Sequence, residues 1–185
     1  MTSYLDVIDK PHPGIVNQGL KSPSSSFMSA NIPAPRTTYT GDCQDPTEPA
    51  FLKLVQTRNV GPFTVTGLRP ALDSLEVVLS QVKSELPDLY GILGDAGMLC
   101  CRYKRIKGKI VKQPSNHSFG TAVDIKLSGK LDVQGDDHCY RGLLVLAKYF
   151  NAARWYWGVA FPTEDAMHFE ASVDLVRDWK KAGLV

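Results

Sequence analysis

The sequence predicts an α+β fold, a small antiparallel sheet with flanking helices, and three observations carry that reading. Short segments of strand character follow one another with hairpin-length connections. Amphipathic helical segments sit among them without strict strand–helix alternation. The chain has 185 residues, 43% hydrophobic and 22% charged, which suits one domain around a single sizeable core. No internal repeat is visible.

Residues 1–45 hold Pro11, Pro13, Pro23, Pro33 and Pro35 and a serine-rich run from Ser22 to Ser26, without apolar periodicity. They read as an extended arm over the domain surface, or as a linker that joins the domain to a carrier. The domain itself is set at residues 46–185, its folded body beginning near Phe51. Thr64 to Gly67 reads as a turn, and Pro70 suits the first turn of a helix. Leu72, Leu75, Leu79, Val82 and Leu86 then recur at helical spacing, and Pro87 interrupts them before a short helix around Leu89 to Leu93. Gly97 leads into a strand, Met98 to Tyr103, followed by a polar, basic loop from Lys104 to Pro114. Ala122 to Leu127 alternates strictly, with Val123, Ile125 and Leu127 on one face and Ala122, Asp124 and Lys126 on the other. After a turn at Ser128-Gly129-Lys130, a buried helix is expected from about His138 to Ala152, with Leu143, Leu146, Ala147 and Phe150 inward. Trp155 to Phe161 and Met167 to Glu170 read as strands, and Val173 to Lys181 as a closing helix.

The formal net charge of +2 is too small for a dedicated nucleic-acid binder. The five cations between Arg102 and Lys109 read as a solvated loop or as a rim for an anionic substrate, ahead of a phosphate-binding patch. No run approaches the roughly 18 apolar residues of a membrane span. The N-terminal stretch has early acidic residues and no apolar core, so no signal peptide is expected. Cys43, Cys100, Cys101 and Cys139 fit no C-x-x-C pattern and are too few for a disulfide scaffold. Adjacent strand positions send Cys100 and Cys101 to opposite faces, one of them buried. A disulfide from Cys43 to one of the other three stays open.

Two segments carry chemistry. Ser115-Asn116-His117-Ser118-Phe119-Gly120-Thr121-Ala122-Val123-Asp124 places a histidine in a loop and an aspartate seven residues later, on the non-apolar face of its strand. Gly120 lets the chain turn tightly between them. In Glu164-Asp165-Ala166-Met167-His168-Phe169-Glu170, Met167 and Phe169 suit the core while His168 and Glu170 share the opposite face. His117, Asp124 and His168 offer three ligands and leave a fourth tetrahedral position for water, the pattern of catalytic zinc. Asp165, three residues before His168, can take a proton from that water; Glu164 competes for the role. His138, beside Asp136, Asp137 and Cys139, marks a helix start capped by one carboxylate, with a second metal site as the less favoured reading.

The segment SNHSFGTAVD resembles the S-x-H-x-x-G-x-A-x-D motif of the zinc D-alanyl-D-alanine carboxypeptidase family. That family also includes D-Ala-D-Ala dipeptidases, phage L-alanyl-D-glutamate endopeptidases and relatives of the hedgehog signalling domain. EDAMHFE resembles its downstream (D/E)-x-x-H segment, and the resemblance spans roughly residues 60–172. It implies a hedgehog/DD-peptidase-like fold and one zinc per chain held by His117, Asp124 and His168. It also implies Asp165 as general base and Arg102 as the group that binds the scissile carbonyl, with Arg105 and Lys104 as alternatives. Ser115 is expected to orient the loop or a substrate group. The Trp155, Tyr156 and Trp157 cluster reads mainly as core, with one ring, Trp157, at the substrate cleft.

The implied activity is hydrolysis of an amide in the peptidoglycan stem peptide. Aspartate at the base position and the missing signal peptide lean towards an endopeptidase of L-Ala–D-Glu. So does the lack of a cation, apart from the basic loop, near the metal segments. A D-alanyl-D-alanine carboxypeptidase is the alternative within the class, and a catalytically silent, hedgehog-like zinc module the alternative outside it. The implied protein is a monomer made in the cytoplasm. It acts in the periplasm or cell wall, released like a phage endolysin or delivered as an antibacterial toxin with a neutralising or carrier partner.

Overall fold

The computed structural model describes residues 3–106 and 108–185. Met1, Thr2 and Lys107, one of the five clustered cations, lie outside the described residues. Strand β1 (Val7–Asp9) pairs antiparallel with residues 138–140, Ile8 opposite Cys139. Helix α1 (Ser25–Asn31) begins at Ser24, whose hydroxyl accepts the Phe27 amide and satisfies one of the free N–H groups of the first turn. Val16, Met28 and Ile32 are buried in the main core. The first 45 residues are therefore built into the folded body as a strap and are not a linker ahead of it. Their prolines suppress regular structure, but three apolar anchors hold them down. At the end of the strap, Gln44 bridges Cys101, and Cys43 and Cys100 form a disulfide.

Helix α2 (Pro49–Leu52) leads to β2 (Val55–Asn59) and β3 (Thr64–Leu68), an antiparallel hairpin. The turn expected at Thr64 to Gly67 is thus a strand. Its threonines are β-branched and pair across the ladder, Thr57 and Thr66 hydroxyls 2.7 Å apart. Helix α3 (Arg69–Glu85) has Pro70 in its first turn and buries Leu72, Leu75, Leu79 and Val82, as their spacing predicts. Helix α4 (Pro87–Tyr90) and strand β4 (Leu93–Asp95) follow.

The strand expected at Met98 to Tyr103 does not form over residues 98–102, which join no ladder among the described residues beyond the bridge at Cys101. The expected basic loop is instead a hairpin of β5 (Tyr103–Ile106) and β6 (Lys109–Pro114). Neither strand has a core face, so neither shows the alternation that marks a half-buried strand. Strand β7 (Ala122–Leu127) is as expected. Strand β8 (His138–Tyr140) occupies the first positions assigned to a helix, because they pair with β1, and α5 (Arg141–Ala152) starts after it. Asp136 and Asp137 consequently cap no helix, and His138 bonds the Asp136 carbonyl. Strand β9 (Trp155–Trp157) ends in a 3-10 turn, Gly158–Ala160. Strand β10 (His168–Ala171) and helix α6 (Val173–Lys181), capped by Ser172, complete the chain.

The fold is α+β with small antiparallel sheets. The central one has the order β4-β7-β10-β9. Val123 and Phe169 are ladder partners, and Phe150 of α5 stacks on Phe169 at 4.1 Å between centroids. That face is the core. The other face carries the next pair along the ladder, Asp124 opposite His168, and opens into a cleft. Among the described residues no helix is long and apolar enough to cross a membrane.

Candidate active site

His117 stands in a 3-10 turn, Asn116–Phe119, that ends at Gly120 in the left-handed region with φ 62°. A Cβ on Gly120 would lie 2.7 Å from the Leu68 nitrogen, so only glycine permits this turn to pack against β3. The His117 Nδ1 is 3.1 Å from the Met98 carbonyl; as a donor there, it leaves Nε2 free. His168 Nε2 is 2.9 Å from Glu170 Oε2, which likewise leaves Nδ1 free. Those two free nitrogens are 3.1 Å apart. Asp124 Oδ1 is 3.2 Å from His117 Nε2 and 3.1 Å from His168 Nδ1.

Three donor atoms thus form a nearly equilateral triangle. Zinc bonds of about 2.0–2.2 Å in tetrahedral geometry set ligand atoms roughly 3.3–3.6 Å apart, so the triangle matches one face of such a site after a small expansion. The donor set fits the ion, and the outer nitrogen of each imidazole is already held by a second partner, as in known zinc sites. Among the described residues, this is the group of three metal-competent side chains that converges. Burial alone would favour neutral Asp124, yet His117 and His168 hold its carboxyl well below the usual range. Burial also opposes a charged His168, but its bonds to Asp124 and Glu170 raise its pKa well above the ordinary value.

The cleft beside this triangle measures ≈ 370 Å³. Arg102 lines it because residues 100–102 dock on the His117 turn: Cys100 N donates to the His117 carbonyl, and Ser118 Oγ accepts from Arg102 N. Ser115 lines it too, its amide donated to the Arg102 carbonyl. Asp165 lines the cleft with Oδ2 accepting from Gln134 and Oδ1 buried without a partner. Burial, then the negative charge of Asp124, push its carboxyl above the usual range. Glu164 is fully buried and spends both oxygens on backbone amides, those of Ala166 and Gly135, so it staples the loop.

Trp157 is not in the cleft. It is fully buried, parallel to Phe169, and its indole N–H donates to the Ala166 carbonyl. Strand alternation places Trp155 and Trp157 together on the core face. The aromatic ring that lines the cleft is Phe161, 5.6 Å from His168 between centroids. Lys104 and Arg105 also line the cleft, so hairpin β5–β6 brings cations beside the metal-facing residues. Among the described residues, neither Arg102 nor Lys104 makes a salt bridge.

Sequence reasoning assigned no role to Glu170, Asn116, Gly158 or Ser22. Glu170 was legible as a carboxylate two residues after a ligand on the same strand face. A Cβ on Gly158 would meet the Asp165 carbonyl at 2.6 Å and His168 Cβ at 3.1 Å, so this glycine lets the Asp165–His168 loop pack down. Asn116 and Ser22 carried no signal.

Comparison with curated proteins and with solved structures found no match. Residues 110–171, about a third of the chain, match the family model described as D-alanyl-D-alanine carboxypeptidase. That segment, similar to the family, contains His117, Asp124, Asp165 and His168.

Proposed function

We propose that the protein is a zinc peptidase that hydrolyses an amide of the peptidoglycan stem peptide. The observation that carries this reading is the convergence of His117 Nε2, Asp124 Oδ1 and His168 Nδ1 at 3.1–3.2 Å in the wall of a cleft. These atoms would hold the ion, which supplies Lewis acidity and a water that ionises near neutral pH. Asp165 accepts the proton of the attacking water and returns it to the leaving amine. Its upward-shifted carboxyl suits proton transfer near neutrality better than an ordinary aspartate would. Arg102, which makes no salt bridge among the described residues, binds the scissile carbonyl and stabilises charge that develops on its oxygen. Ser115 and Phe161 shape the wall against which the substrate lies.

Arg102, Lys104 and Arg105 give the cleft a cationic wall beside the carboxylates of Asp124, Asp165 and Glu170, and that wall suits stem peptides rich in free carboxylates. We assign cleavage between L-Ala and D-Glu, where the carboxylate of D-Glu meets this wall. The same cations favour a second reading, release of terminal D-alanine, since a carboxypeptidase also needs a cation for the terminal carboxylate. Digestion of purified peptidoglycan with the zinc-loaded protein, followed by mass spectrometry, tests both. Fragments ending at L-Ala are expected. Free D-alanine with otherwise intact stems would move the assignment to the second reading, and no fragments at all would leave a zinc-binding module without peptidase activity. Delivery as an endolysin or as a toxin with a neutralising partner belongs to the same proposal. Lysis of intact cells only when the protein is placed outside the inner membrane would support it.

A further inference from the structure

We propose that Glu170, clamped by Ser22 of the N-terminal strap and by Asn116, is the positioning residue of the metal centre. It holds His168 in the tautomer that presents Nδ1 to the ion. The inference rests on the zinc-peptidase reading and extends it to a part of the chain outside the matched segment.

Glu170 is almost fully buried, and each of its oxygens is engaged. Oε2 receives His168 Nε2 at 2.9 Å and Asn116 Nδ2 at 2.7 Å. Oε1 receives the Ser22 hydroxyl at 2.5 Å. His168 Nε2 can donate to this carboxylate only while protonated, so the neutral ring has its lone pair on Nδ1, the atom 3.1 Å from both Asp124 Oδ1 and His117 Nε2. Glu170 and His168 are two residues apart on β10, so the backbone itself sets their spacing, and the opposite tautomer would leave a buried carboxylate facing a lone pair.

The strap is fastened on both sides of this contact. Asn116 Nδ2 also donates to the Pro23 carbonyl at 3.1 Å, and Ser25 Oγ donates to the Pro114 carbonyl at 2.8 Å. Val173 N donates to the Lys21 carbonyl at 2.9 Å. Residues 21–25 are therefore tied to the His117 turn and to the end of the His168 strand at once. Ser22 itself lines the cleft. The proline- and serine-rich segment that looks like a linker in the sequence thus supplies one fixed donor to the second layer of the metal site.

The test uses the full chain and inorganic zinc, with affinity read by chelator competition and the His168 tautomer by ¹⁵N resonances of the zinc-loaded protein. Glu170→Ala is expected to weaken zinc binding about 10- to 100-fold. Glu170→Gln keeps a carbonyl acceptor and should recover part of that loss together with the wild-type tautomer. Ser22→Ala removes one hydroxyl from an exposed residue, does not threaten folding, and should weaken zinc several-fold. A merely structural role would lower melting temperature while leaving zinc affinity and the imidazole resonances unchanged. Wild-type affinity in either Glu170→Ala or Ser22→Ala overturns the inference. A wild-type protein that takes up no zinc instead overturns the peptidase reading.

Discussion

Asp124 and His168 face each other as direct partners across the ladder between β7 and β10, their Oδ1 and Nδ1 atoms 3.1 Å apart. Two of the three candidate ligands are therefore fixed by main-chain pairing in the middle of the sheet, and the third comes from a glycine-terminated turn beside it. A site framed this way changes little when the ion leaves, because the ladder and not the ion sets the separation.

Zinc content tests the first consequence. Protein purified without chelator should hold about one zinc per chain, and His117→Ala or His168→Ala should lose it. With free zinc about 100-fold above Kd, binding contributes about 2.7 kcal/mol, or roughly 5–10 °C in Tm for a chain of this size. Chelator should lower the wild-type Tm by that amount and leave the variants unmoved; full zinc in both variants contradicts the ligand assignment.

Asp165 and Glu164 separate chemistry from folding. Asp165→Asn should retain zinc and lose hydrolysis by roughly two to four orders of magnitude. Glu164→Gln should instead lower stability, because an amide cannot accept both the Ala166 and Gly135 amides with two oxygens. Normal turnover in Asp165→Asn with inactive but folded Glu164→Gln would reverse the roles.

Trp157 and Phe161 make a similar pair. Trp157→Phe leaves the Ala166 carbonyl without its donor and a void in the core, and should cost about 1–3 kcal/mol of stability. Phe161→Ala should leave Tm nearly unchanged and raise KM for peptidoglycan fragments, read from fragment release at graded substrate.

Asp132 links stability to pH. Burial, then the nearby charge of Glu164, push its carboxyl up to about 7, and its Oδ2 is buried without a partner. An unfolded aspartate ionises near about 3.9, so between these values the folded state binds more protons and stability falls as pH rises. Asp132→Asn keeps the acceptor for the Tyr140 amide. It should raise Tm by roughly 2–4 °C at pH 8, the change expected for about 1 kcal/mol, and give no gain at pH 4. Equal shifts at both pH values would remove the protonation account.

Periodicity and spacing in the sequence were enough for helix α3, strand β7, the closing helix and the segments bearing His117, Asp124 and His168. Each of those signals is local: an apolar stripe at Leu72, Leu75 and Leu79, or alternation around Asp124, reports which face is buried whatever lies opposite. The hairpin of Lys104 and Arg105 was read as a loop because it has no core face and forms through its own pairing. Strand β1 was illegible because its partner lies about 130 residues away. Whether Cys43 met Cys100, Cys101 or Cys139, and whether Asp165 or Glu164 faced the cleft, depended on backbone paths that neighbouring residues do not encode. The contact of Ser22 with Glu170 spans 148 residues and joins two segments that carry no mutual signal in the chain. Only the tertiary structure decides such contacts, since they follow from how the whole core closes and not from any one element's own preference.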